Sequence, residues 1–321
     1  MWLYLEATML LYVAALLCLY YLFRWYRERE ILPNLQEKYV LITGCDTGFG
    51  NLLAQQLDQR GLRVLATCLT QKGAEQLKNS SSQRLQTVIL DVANSQSVTA
   101  AAEWVKRKVG DRGLWGLVNN AGILIPVAPN EWLTKEDFLR VLNVNLVGMV
   151  DVTLSLLPLV RKAQGRIVNV ASIAGRMGLC GGGYSISKFG VEAFSDCLRR
   201  ELITFGVKVS IIEPDFFRTQ ILNTENLRRS LERIWDAVPE EVKHSYGQSY
   251  FEEYCKYLHK MTQLTTPKLY LVTDSMEHAL TAVHPRTRYS AGWYAKLYYL
   301  PMSYMPTSWT DPLLTFSPKK D

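Results

Sequence analysis

Three features of the sequence predict an α/β fold, a doubly wound parallel sheet covered by helices on both faces. Short apolar runs of strand length alternate with longer stretches of helical period, a glycine-rich turn follows the first such run, and no internal repeat or low-complexity tract breaks the alternation. The 321 residues, 48% hydrophobic and 21% charged, can bury a full core, and folds of this class commonly stay one domain at about 250 residues. A single domain with short extensions is therefore expected.

In chain order, residues 7–23 (ATMLLYVAALLCLYYLF) form an uncharged, mostly apolar run at the short end of what crosses the hydrocarbon layer as a helix. Trp2, Tyr4, Tyr20, Tyr21 and Trp25 sit at its two ends, where amphipathic rings favour headgroups. A cleaved signal peptide would want a basic leader and a small-residue cleavage site. Here the only early charge is Glu6, and the basic Arg24, Arg27 and Arg29 follow the run. The reading is an uncleaved membrane anchor over 1–23 and a basic linker over 24–37, with the main domain on the cytosolic side. Asn79-Ser80-Ser81 is a glycosylation sequon, which would matter only in a lumenal domain.

KYVLIT (38–43) reads as a buried strand, followed by glycines and a helix with apolar Phe49, Leu52, Leu53 and Leu57. LRVLATC, TVILDV, GLVNNAG, GRIVNVAS and VKVSIIEP continue the strands; SVTAAAEWVKRKV, FLRVLNVNLVGMVDVTLSLLPLV and GVEAFSDCLRRELITF are the amphipathic stretches between them. Repeated βαβ units of this kind give a Rossmann-like sheet. After Pro214 the pattern changes. Residues 216–267 are charged, helical and aromatic, and two readings stand: a solvated helical excursion, or a substrate lid over the carboxyl ends of the strands. MEHALTAV and RTRYSAGW close the sheet of a main domain spanning 38–295, and the apolar, proline-broken tail 296–321 is suited to touching a bilayer surface.

Composition excludes several functions. The net charge of +6 is dispersed, without the basic stripe and interleaved aromatics of a nucleic-acid binder. Six cysteines show no CxxC pair and no regular spacing, so free thiols are expected. Of the four histidines only His259 has a ligand-type neighbour, Cys255, on its helix face, too few for a zinc site.

The chemistry begins at TGCDTGFG, Thr43 to Gly50. Glycines let the backbone turn sharply and approach a pyrophosphate, and the following helix offers its unpaired N–H groups to the anion. Following a strand and opening a helix, the loop reads as a dinucleotide site. GGGYSISKFGVEAF (181–194) then places Tyr184 and Lys188 four apart, on one helix face. The bland reading is an ordinary helix face. In the chemical reading, Tyr184 takes the proton of an alcohol while hydride leaves its carbon for the cofactor. A phenol is a poor base near neutrality; lowering its pKa by about two to three units needs roughly 3 to 4 kcal/mol of phenolate stabilisation. The lysine charge and a positive nicotinamide are expected to supply it together.

The TGxxxGxG spacing resembles that of the short-chain dehydrogenase/reductase family, and further motifs follow in family order. Asn119-Asn120-Ala121-Gly122 matches its NNAG, Asn145 its helix asparagine, Ser172 its serine, and Tyr184-x-x-x-Lys188 its YxxxK pair. Within the family, ITGCDTGFG, GLWGLVNNAGI and HPRTRYSAGW look like the microsomal retinol dehydrogenase and 17β-hydroxysteroid dehydrogenase type 6 subgroup. The resemblance covers about 38–293 and resolves the Tyr184 question in favour of catalysis. It implies that Ser172 hydrogen-bonds the substrate oxygen, that Lys188 also holds the nicotinamide ribose, and that Asn145 positions a relay water. Cofactor contacts are expected from Thr43, Gly44, Thr47, Gly48, Phe49, Gly50, Asn119, Ala121, Gly122, Tyr184, Lys188, Pro214 and Thr219, with Asp91 and Val92 flanking the adenine. It further implies the endoplasmic reticulum membrane and a homodimer built on the helices bearing Asn145 and Tyr184.

NAD is the expected cofactor. A 2′-phosphate wants Arg or Lys, but the loop's usual basic position is Thr47, and Cys68-Leu69-Thr70 after the second strand holds neither a base nor the usual aspartate. The expected activity is oxidation of a lipophilic alcohol, retinol or a 3α- or 17β-hydroxysteroid; the alternatives are an NADP-dependent carbonyl reductase and a catalytically weak membrane-bound nucleotide- or lipid-binding protein. Two departures from the family pattern stand out. Asp215 replaces a glycine after Pro214, where its charge would oppose a pyrophosphate and where tolerance of positive φ would help it. Tyr294 stands where the resembled subgroup has aspartate.

Overall fold

A computed structural model describes residues 2–316. The chain opens with helix α1 (Trp2–Glu28), then runs β1 (Tyr39–Ile42), α2 (Gly48–Gln59), β2 (Arg63–Cys68), α3 (Gln71–Asn79), β3 (Gln86–Ile89), α4 (Ser95–Val109) and β4 (Gly116–Asn119). The second half continues α5 (Lys135–Leu142), α6 (Met149–Lys162), β5 (Arg166–Val170), α7 (Gly183–Glu201) and β6 (Lys208–Pro214). Helices α8 (Thr224–Ala237), α9 (Glu240–Tyr246), α10 (Gln248–Gln263) and α11 (Tyr270–Thr281) precede the last strand, β7 (Arg288–Ala291). The seven strands form one parallel sheet in the order β3-β2-β1-β4-β5-β6-β7.

Alternation along the strands explains the two layers of helices. Val40 and Ile42 point to one face, where Leu53, Leu57, Met276 and Leu280 of α2 and α11 meet them. Leu41 points to the other, against a layer that includes Val105, Val152, Leu156 and Leu198 of α4, α6 and α7. Residues 135–162 are long and apolar enough to cross a membrane by length and composition, yet Val152, Leu156 and Val160 pack on the sheet, so this is a core helix. A π-helical turn at Asn143–Gly148 joins α5 to α6. Gly148 is required there, because a Cβ would lie 2.3 Å from the Val92 carbonyl oxygen.

The structure departs from the sequence reading in three places. Helix α3, unmarked by its sequence, buries only Gly73, Ala74 and Leu77, too narrow an apolar stripe to register as a period. Residues 216–267 are not a solvated excursion: with Trp132 they build a core of their own, in which Trp235 stacks on Phe251 at 5.1 Å and lies 4.6 Å from Trp132. Helix α1 continues to Glu28, past Phe23 and into the residues read as a basic linker. The Glu28 carboxylate accepts from Arg24 at 2.7 Å and from Arg286 at 2.8 Å, while its backbone carbonyl accepts from His278 at 2.8 Å. Leu32 N–H donates to Thr281 and Val283 N–H to Glu30, which welds the end of α1 to the α11–β7 connection.

Candidate active site

A cleft of about 490 Å³ lies at the carboxyl ends of the strands, between the loop after β1 and the 216–267 region. Gly44 has φ +70°, and a Cβ on it would come 2.8 Å from the Ala121 Cα; one on Gly50 would meet the Gly44 carbonyl oxygen and the Asn120 amide at 2.5 Å. The glycine loop is thus pressed against the loop after β4. Thr43 joins the two: its hydroxyl accepts the N–H groups of Asn120 at 2.9 Å and Ala121 at 3.0 Å. The Asn119 amide donates to Thr153 and Asn169 beneath the sheet end.

The predicted cofactor residues therefore divide. Gly44, Thr47, Gly48, Phe49, Asp91 and Val92 line the cleft, as do Ala121, Gly122, Pro214 and Thr219. Thr43, Gly50 and Asn119 do not line the cleft; they stand behind it and hold together the loops that do.

Ser172 follows β5 and Tyr184 opens α7, and both line the cleft with Lys188. The Ser172 oxygen accepts the Ala174 N–H at 3.1 Å. The Lys188 ammonium donates to the Val170 carbonyl at 2.8 Å and lies 5.6 Å from the centre of the Tyr184 ring. Burial pushes the Tyr184 phenol up to about 12, against the Ser172 hydroxyl that pulls it down. Burial also brings Lys188 down to about 8, opposed by the Glu192 charge. In the protein without a nicotinamide, desolvation of the phenolate outweighs the Ser172 contribution.

Asn145 does not line the cleft. Sitting in the π turn, its amide donates to the Ile123 carbonyl and accepts the Ile123 N–H, both at 2.8 Å, and donates to Ser187 at 3.1 Å. It pins the strand-end loop to α7 directly beneath Gly122, where a Cβ would lie 3.3 Å from its oxygen and 3.8 Å from the Lys188 nitrogen.

Asp215 also lines the cleft, and it does not use positive φ. Its carboxylate turns to the start of the helical stretch that follows β7, accepting the N–H of Ala295 at 3.3 Å. A negative charge is favourable at a helix start. One Asp215 oxygen, however, is buried without a partner, and burial raises the carboxyl to about 6. A carboxyl raised above its unfolded value of about 3.9 favours the native state at low pH and loses that contribution as pH rises through the folded value. Asp215→Asn is therefore expected to melt above the wild type at pH 8, with the gap closing near pH 4. Thermal melts at the two pH values check it; equal melting at both would remove the burial penalty from the account.

One carboxylate at the cleft was missed by the sequence reading. Asp46, in the glycine loop, accepts the N–H of Leu69 at 2.7 Å, the N–H of Thr70 at 3.0 Å and the Thr70 hydroxyl at 2.6 Å. It so occupies the end of β2. The usual search there looks only along β2 itself.

Comparison with known proteins agrees with this geometry. Residues 38–230 match the short chain dehydrogenase family. The chain is 61% identical over 312 residues to retinol dehydrogenase 7 of Mus musculus, covering 97% of this chain and 98% of that protein. It is 59% identical over 310 residues to 17-beta-hydroxysteroid dehydrogenase type 6 of Homo sapiens, covering 96% and 98%. Among solved structures, a short chain dehydrogenase/reductase from Burkholderia phymatum in complex with NAD shares the fold, with a TM-score of 0.68 at 20% identity, over 90% of this chain and 99% of that one.

Proposed function

Because the chain belongs to the short-chain dehydrogenase family of oxidoreductases, we propose that it oxidises a lipophilic alcohol, a retinoid or a hydroxysteroid, with NAD as hydride acceptor. The observation that carries the reading is the wall on which Ser172, Tyr184 and Lys188 stand together, facing a cleft whose other side is apolar: Phe216, Ile221, Leu227, Leu258 and Met261. Such a lining accepts an elongated apolar molecule and leaves its hydroxyl to the few polar groups.

The residues also fit a dinucleotide. The glycine loop opens α2, whose first N–H groups suit a pyrophosphate. Gly122 keeps the wall open above Lys188, and Thr219 lies against the loop, 3.7 Å from a Cβ placed on Gly48. Nicotinamide, when bound, supplies the hydride acceptor and a positive charge beside the phenol. Ser172 orients the substrate hydroxyl, Tyr184 accepts its proton, and Lys188 holds a positive charge beneath the tyrosine up to about pH 8. Asn145 fixes the loop and helix that carry them.

The exposed apolar side chains of α1, from Leu11 to Phe23, support a membrane anchor; the endoplasmic reticulum as that membrane and the cytosol as the domain's side are part of the same proposal. Exposed Leu139, Val147 and Leu154 along residues 135–162, with Ile186 and Phe189 of α7, support a homodimer through those helices. The test is nicotinamide reduction by membranes carrying the protein, with NAD or NADP against all-trans-retinol and a 3α-hydroxysteroid. Turnover with NAD on either alcohol is expected. Absence of turnover on both, with dinucleotide bound, would sink the alcohol assignment.

A further inference from the structure

We infer that Asp46 is the residue that sets the choice of NAD over NADP, by holding a carboxylate at the end of β2 where a 2′-phosphate would have to sit. The inference rests on the proposed dinucleotide reading of the cleft. In a doubly wound sheet the ribose 2′-hydroxyl is read about twenty residues past the glycine loop, at the end of the second strand, by an acidic group; its 2′-phosphate needs a basic one. In this chain Cys68-Leu69-Thr70 occupies that place and carries no charge. The charge arrives instead from the glycine loop.

Three details of the geometry make Asp46 more than a loop residue. First, it is built in: a Cβ on Gly73 would come 2.5 Å from the Asp46 Oδ1, so the first turn of α3 is cut back to admit the carboxylate. Second, it consumes the donors an incoming phosphate would want. The N–H groups of Leu69 and Thr70 and the Thr70 hydroxyl, all at the start of α3, already point to Asp46. Thr70 caps that helix by accepting the Gly73 N–H at 3.0 Å, so its hydroxyl is committed on both sides. Third, Asp46, Leu69 and Thr70 all line the cleft, whereas Lys72, a turn into α3, does not.

A carboxylate oxygen has room for a second acceptor bond, which a neutral 2′-hydroxyl can supply. A 2′-phosphate has no proton to offer, finds its donors taken, and meets a like charge. The missing basic clamp alone would make NADP a weaker ligand for want of attraction; Asp46 adds repulsion, and the two differ in what removing one residue does.

The test is equilibrium binding to the full-length protein in detergent, for NAD, NADP, ADP and the 2′-phosphate of ADP, by displacement of NADH fluorescence. The two nucleotides isolate the adenosine end and need no turnover. In Asp46→Asn and Asp46→Ser the Kd penalty for the 2′-phosphate is expected to shrink about tenfold to a hundredfold, as loss of a like charge at close range predicts. In the wild type the same penalty is expected to shrink with rising ionic strength, a measurement that needs no variant. A wild type that binds none of the four overturns the dinucleotide reading and this inference together. A wild type that favours NAD, with a penalty unchanged in folded variants and insensitive to salt, overturns the role of Asp46 alone.

Discussion

Replacing Tyr184 by phenylalanine is expected to lower kcat for alcohol oxidation about a thousandfold, while the Kd for NAD stays within about twofold. The substitution keeps the ring and removes only the hydroxyl, so the cleft wall beside Lys188 retains its packing. What disappears is the hydroxyl proposed to take the substrate's proton. Burial holds that phenol at about 12 in the protein by itself, so the proposed role as base calls for a further positive charge beside it. The wild-type rate of oxidation is therefore expected to climb with pH, and the variant's residual rate to lose that slope. Steady-state kinetics with a single alcohol over a pH series decides it. Retention of a tenth of the wild-type kcat would mean that another group carries the proton.

The largest effect on stability is expected at Arg288. Its guanidinium binds three carboxylates: Glu192, Glu213 at 2.9 Å and Asp196 at 2.8 Å. Glu213 is 1% exposed and Glu192 9%, so the ions are held largely away from water. Removing Arg288 strands Glu192, while Glu213 keeps Arg176 at 3.5 Å and Asp196 keeps Arg199 at 3.3 Å. A loss of about 3 kcal/mol is expected, a large share of the roughly 5 to 15 kcal/mol that holds a typical domain folded. Arg288→Met is expected to show that loss in denaturant melts, and Arg288→Lys to recover only part of it, since an ammonium cannot serve three carboxylates in one fork. The pH dependence has a definite sign. Burial, then the Glu213 charge, raises Glu192 to about 7, so its stabilising contribution belongs to low pH and is lost as pH rises through that value. The deficit of Arg288→Met should therefore widen above pH 7 and narrow toward pH 5. A loss below 1 kcal/mol at pH 8 would show that water reaches the cluster.

That cluster also shows what the sequence could and could not disclose. Tyr184, Lys188, Glu192 and Asp196 recur every four residues along α7, a spacing visible in the sequence, yet only the first two belong to a known motif. Glu192 and Asp196 acquire meaning from Arg288, about a hundred residues away, and nothing local marks that pairing. The parallel sheet was legible because strands buried on both faces write nearly continuous apolar runs. The glycine loop was legible because turn, close approach and helix start all leave glycines. By contrast, Asp46 stands inside that motif, and its role depends on where β2 ends in space. Thr43, Gly50 and Asn119 belong to the same motifs yet stand behind the loops that line the cleft. A motif fixes which residues gather; which of them faces the cleft is decided by packing that periodicity does not record.

The weld between α1 and the α11–β7 connection has a mechanical consequence. A domain on a slack tether tumbles, and its entrance meets a nearby surface only for part of the time. Here the helix ends in a carboxylate gripped by Arg24 and Arg286, and the chain beyond it is stitched to Thr281 and Val283 before any free segment begins. Tilt and swivel are removed together. With α1 seated in a bilayer, the protein would behave as a rigid post: one side of the domain always downward, the mouth of the cleft at one height, and diffusion reduced to sliding in a plane.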